Sequence, residues 1–145
     1  MSQESVNTDA ELLLYPVCGT IGSVGVPGAP IVKFSLLVGP FHHTVTGMVI
    51  ITQGGVVMKP IVVHVKGTIR PTRNKPYTQV VNIQGKYVHS FTPPAIGSVL
   101  ASFSATMYID NAWNGKGSFS YFRHSVEDVP VKRVPCIMEP APLSE

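Results

Sequence analysis

The sequence predicts an all-β protein, an antiparallel β-sandwich of about eight strands, with a closed β-barrel as the alternative arrangement of the same strands. Three observations carry this. Thirteen Gly and thirteen Pro are spread along 145 residues and cut the chain into short segments. Segments alternate apolar and polar residues with period two, most cleanly over 99–109, where Val99, Ala101, Phe103, Ala105, Met107 and Ile109 share one parity. No stretch of ten or more residues carries an apolar stripe at helical spacing.

Residues 1–10 read as a flexible acidic arm, 11–134 as a single domain, and 135–145 as a proline-rich tail. The first strand is 11–20, with Pro16 placing it at an edge or beside a bulge. Residues 21–30, IGSVGVPGAP, form a turning loop. The second strand, 31–38, puts Val32, Phe34, Leu36 and Val38 on one side. The hairpin from His43 to Arg70 organises the rest. Its second strand sets Ile61, Val63, Val65 and Ile69 against His64, Lys66, Thr68 and Arg70, a core face and a solvent face. Its first strand has Val45, Val49 and Ile51 on one side and Met48 and Ile50 on the other, which predicts cover on both sides.

PTRNKP, 71–76, is an exposed turn, and 77–90 is the fifth strand, ended by Thr92-Pro93-Pro94. After the sixth strand, 99–109, comes the turn DNAWNGKG, 110–117; the last two strands are 118–123 and 126–134.

Composition narrows the function. Hydrophobic residues make up 44% and charged residues 13%, which excludes a disordered chain. No Asp or Glu occurs between Leu12 and Ile109, whereas Lys33, Lys59, Lys66, Arg70, Arg73, Lys75 and Lys86 all do. A general acid, general base or hard-metal site must therefore take its carboxylates from the two ends. The N-terminus lacks the basic start and apolar middle of a secretory signal, no apolar run reaches membrane-spanning length, and the cytoplasm is the expected location. Cys18 and Cys136 read as reduced, small buried hydrophobes.

His42, His43, His64, His89 and His124 form no metal-ligand spacing, and neither cysteines nor serines sit in a nucleophile setting, so no catalytic residue, metal or cofactor is assigned. An enzyme using His124 with Glu127 or Asp128 is the weakest of the readings. Lys66, Arg70, Arg73 and Lys75, with His64 and Lys86 beside them, are candidates for binding an anion or an anionic surface. Interleaved aromatics and a groove-reading helix are missing, which argues against nucleic acid. Asp110, Asn111, Trp113 and Asn114 share one hairpin tip and are candidates for a glycan, the amides and acid bonding hydroxyls and the indole stacking on the ring.

The runs CGTIGSVGVPGAPIVKFSLLV, TVTGMVIITQ, WNGKGSFSYF and EDVPVKRV resemble a family of small bacterial proteins known only as a domain of unknown function. The resemblance spans about Tyr15 to Val134, implies a compact all-β domain and carries over no catalytic residue. The expected function is a non-enzymatic module that self-associates or binds a partner, because apolar residues occupy both faces of the stretch from His43 to Val63 and the charged fraction is low. A lectin-like or cytolysin-like carbohydrate- or membrane-binding protein is the alternative.

Overall fold

A computed structural model of the chain describes residues 13–53, 59–91 and 93–136. The N-terminal arm, the loop that joins the central hairpin and the end of the C-terminal tail lie outside the described residues. Eight strands follow in order: β1 (Tyr15–Ile21), β2 (Pro30–Gly39), β3 (Thr44–Gln53), β4 (Ile61–Pro71), β5 (Gln79–Ser90), β6 (Ser98–Ile109), β7 (Gly115–Tyr121) and β8 (His124–Val134). Each pairs antiparallel with the next, and β8 pairs with β1, so the sheet closes into a barrel. The all-β class and the strand count match the sequence expectation; the closure is the barrel alternative and not a sandwich. Inside-outside alternation is the same in both, and the ladder that decides joins the two ends of the chain.

Up-and-down order puts the connections after β1, β3, β5 and β7 at one end of the barrel, here the far end. Those after β2, β4 and β6 lie at the near end. The predicted core parities hold except at Val99, which is 40% exposed near the start of β6. Val32, Phe34, Leu36 and Val38 of β2, and Ala101, Phe103, Ala105, Met107 and Ile109 of β6, are all buried inside. Large side chains such as Phe34, Phe103, Met107 and Phe119 fill the lumen as one continuous core.

Two glycines explain how closely the strands approach. A Cβ on Gly67 would stand 1.7 Å from the carbonyl oxygen of Asn82, and one on Gly85 would stand 2.1 Å from that of His64. Neither position admits any side chain while β4 and β5 keep this spacing.

Two expectations are corrected. Cys18 and Cys136 are not reduced: they form a disulfide, with Cα atoms 5.2 Å apart and 118 residues between them in sequence. The bond lies beside the β1–β8 seam, whose ladder runs only from Cys18↔Val134 to Ile21↔Val131. Pro16 lies beyond that short ladder, where its missing N–H removes no bond to β8. Nor do the described residues cover β3 on both sides. Val45, Val49 and Ile51 are fully buried, but Met48 is exposed and Ile50 half-buried on the outer surface.

Candidate interaction surface

The sheet is not a barrel of even height. β5 and β6 pair along their whole length, from Gln79↔Ile109 to Ser90↔Ser98. The β4–β5 ladder stops at Lys66↔Gln84, and the β6–β7 ladder stops at Phe103↔Tyr121. Residues 85–90 and 98–102 therefore form a two-stranded arm, about 20 Å long at 3.4 Å per residue, that outruns β7 and parts from β4, which continues beside it as far as Ile61. Among the described residues no strand pairs with its outer edges.

The arm's inner side closes the far end. Tyr87 and Ala101 are buried; His89 stacks on Phe122 at 4.0 Å, and Phe91 meets His89 edge-on at 5.5 Å. Arg123 lies over the outer face of the same Phe122 ring, 5.0 Å from its centroid. This aromatic stack holds the arm in place.

The arm's outer side carries an exposed apolar pair between Lys86 and Ser102 on one side and Ser90 and Ser98 on the other. Val88 and Leu100, directly paired, are each 66% exposed, and Ile96 in the connecting loop is 96% exposed. The strand register extends this into a row. Ile50 pairs with Val62, and the β4–β5 register, continued past its last pair, sets Val62 level with Val88 and so with Leu100. Ile50 is half-buried and Val62 is exposed. Four outward-facing apolar side chains thus lie level along one rim of the barrel.

Beneath that rim is a basic groove. His64, Lys66 and Lys86 surround the bare backbone of Gly85, with Gln84, Ser102 and Ser104 completing a depression of about 540 Å³. Its lining contains no carboxylate. The groove opens where the β4–β5 pairing ends, and the outward parity of β4 and β5 places His64, Lys66 and Lys86 around it.

The structure divides the four basic candidates of the sequence. Lys66 joins His64 and Lys86 in this groove. Arg70 is exposed on the same face of β4, four residues or about 13 Å further along. Arg73 and Lys75 belong to the β4–β5 connection at the near end, where they line a separate groove with Tyr77.

The four candidates at the β6–β7 tip lie together, but their polar groups serve the turn. The Asp110 carboxylate accepts the backbone N–H groups of Ala112 and Asn114, at 2.9 and 3.0 Å. Asn111 accepts the Thr78 hydroxyl, and Asn114 accepts the backbone N–H of Arg133. Trp113, at φ 64°, turns inward and is only 3% exposed. Its ring packs 6.1 Å from Phe34, and its Nε1–H donates to the Tyr15 hydroxyl at 3.4 Å. The indole plugs the near end and offers no open face to a sugar.

Sequence reasoning missed the arm because strand ends, not strand existence, define it. The apolar outward residues Val88 and Leu100 were its readable signal, since both break the polar parity of their strands. Among the described residues no group of three or more potential ligands could hold a metal ion, and no helix is long and apolar enough to cross a membrane.

The sequence model of one family, described as a domain of unknown function (DUF1842), matches residues 13–126. No curated protein matches the chain.

Proposed function

From the premise that the chain belongs to the DUF1842 family, we propose that the protein is a non-enzymatic interaction module that self-associates through the β5–β6 arm. The single observation behind this reading is the arm itself, a ladder that among the described residues pairs with neither β4 nor β7 and leaves Val88, Ile96 and Leu100 open to water. Unpaired N–H and C=O groups along an apolar edge are a template for another strand. A second copy of the chain supplies a matching edge, and a two-fold arrangement lets each arm cover the other.

Light-scattering mass measured across a wide concentration range tests this. The expected result is a discrete multiple of 15.6 kDa that becomes a single chain in the double variant Val88→Asp/Leu100→Asp. A wild-type monomer at every concentration removes the reading.

The groove beneath the rim supports a second reading, engagement of an anionic surface. An apolar row with His64, Lys66 and Lys86 directly below it suits an interface rich in phosphate headgroups. Co-sedimentation with vesicles of anionic and of zwitterionic lipid separates the two. Binding to anionic vesicles alone, lost in Lys66→Glu/Lys86→Glu, favours the surface; multimerisation without vesicle binding favours self-association.

The Cys18–Cys136 bond supports an oxidising compartment in place of the cytoplasm expected from the sequence. Thiol alkylation at the moment of cell lysis tests this: no free thiol supports it, and two free thiols return the protein to a reducing location.

A further inference from the structure

Between the pairs Gly117↔Val129 and Phe119↔Val126, the single residue Ser118 of β7 faces two residues of β8, Glu127 and Asp128. In an unbroken strand, consecutive side chains point to opposite sides of the sheet. This bulge, with Asp128 at φ 58°, leaves both carboxylates on the outer surface. A non-glycine residue in the left-handed region is held there by its surroundings. Across the bulge Asp128 meets Lys116 in an exposed ion pair, Nζ to Oδ1 at 3.1 Å. The hydrogen bond and charge of Asp128, and then Tyr77, keep the Lys116 ammonium above its ordinary pKa.

Two tyrosines flank this bulge. Tyr77 comes from the β4–β5 connection and Tyr108 from the outer side of β6; both are half-buried, with ring centroids 6.1 Å apart and planes tilted by 47°. Together with Asn74, Lys116, Glu127 and Asp128 they line a cleft of about 340 Å³. That volume lies at the small end of the range for small-molecule sites.

The chemistry of this lining is mixed in a particular way. Aromatic faces cover the C–H side of a ring, carboxylates accept from hydroxyls, and an ammonium and an amide donate to them. Lys116 and Asp128 offset each other's charge, and Glu127 disfavours an anion. A neutral polyol ring meets all of these groups, whereas an apolar ligand would leave the charged ones unpaired.

We propose that the cleft between Tyr77, Tyr108 and the Glu127–Asp128 bulge binds a neutral saccharide. The tyrosines stack on it, Glu127 and Asp128 accept from its hydroxyls, and Lys116 and Asn74 donate to its oxygens. The site lies towards the near end, away from the arm, and is independent of self-association.

A panel of immobilised neutral oligosaccharides provides the probe, and calorimetric titration of the sugars that bind measures affinity. The expected result is binding that Tyr108→Ala weakens by about tenfold or more, the loss of one stacking face. Glu127→Gln should weaken it severalfold, while Tyr77→Phe, which keeps the ring, should leave it within about twofold. Glu127 is exposed, so its variant should fold and keeps the test decisive if Tyr108→Ala does not. Val88→Asp/Leu100→Asp should bind the sugar as wild type does, whatever its mass. No binding to any neutral sugar on the panel, or equal affinity in wild type, Tyr108→Ala and Glu127→Gln, overturns the proposal.

Discussion

Removing the disulfide should be the most damaging single covalent change. The bond joins residues separated by 118 positions and so restricts nearly the whole unfolded chain. In the chain-entropy account the unfolded state of the cross-linked protein loses about 16 cal/mol/K for a loop of that length, or about 5 kcal/mol at 25 °C. That equals the lower end of a typical domain's total stability. The folded state adds a reason of its own, because the β1–β8 ladder ends at Cys18↔Val134 and the bond lies just beyond it. The perturbation is Cys18→Ser/Cys136→Ser, and the assay is urea unfolding followed by tryptophan fluorescence. With a slope of about 2 kcal/mol/M the midpoint should fall by roughly 2.5 M, and wild type in dithiothreitol should follow the variant. A loss below about 1 kcal/mol would refute the reasoning, since neither chain entropy nor a seam that needs its staple could then be right.

The near-end plug should be nearly as sensitive: Trp113→Ala is expected to cost about 3–5 kcal/mol, the range for emptying a buried aromatic site, read as a lowered urea midpoint by far-ultraviolet circular dichroism because the variant removes the single Trp. Tyr87 behaves differently, because its hydroxyl is buried and has no hydrogen-bond partner among the described residues. Tyr87→Phe should therefore leave the midpoint unchanged or raise it, and a loss above about 1 kcal/mol would show that the hydroxyl is bonded in solution. Burial pushes the Tyr121 hydroxyl above its ordinary pKa of 10.0, and burial, then Tyr121, does the same for Tyr87. Their contribution is present in full below pH 10.0 and is lost above it, where the unfolded chain ionises first; stability should fall from that pH through the higher folded values. Unfolding midpoints across this range should fall less steeply in Tyr121→Phe, and identical slopes would contradict the assignment.

How much of this was legible depends on what each feature rests on. The strands of 31–38, 61–70 and 99–109 were readable because their apolar residues recur every second position, and burial follows that parity in the structure except at Val99. Barrel closure was not, because Val17, Val131 and their neighbours alternate identically in an open sandwich. Gly67 and Gly85 were visible as mid-strand glycines. Only the paired strands show that each lies against a carbonyl of the adjacent strand. The disulfide pairs residues too far apart for spacing to speak.

The tip DNAWNG reads the same whether its indole points out or in; Phe34, distant in sequence, decides. The bulge did leave a trace. Val126 and Val129 are three apart where a strand would place them two or four apart, and that slip marks Glu127 and Asp128. The candidate cations were correctly placed outside, but register alone could tell that Lys66 meets Lys86 and not Arg73.

The arm's edges give the most direct test of self-association. Amide hydrogen exchange would be followed by mass spectrometry over residues 85–90 and 98–102, in dilute and in concentrated protein. Self-association through the arm predicts that these amides, free on one side in the single chain, become protected as concentration and mass rise, while the rest of the barrel is unchanged. Exchange over both segments that is fast and independent of concentration, in a sample that has formed multimers, would contradict the account: the protein would then associate through another face.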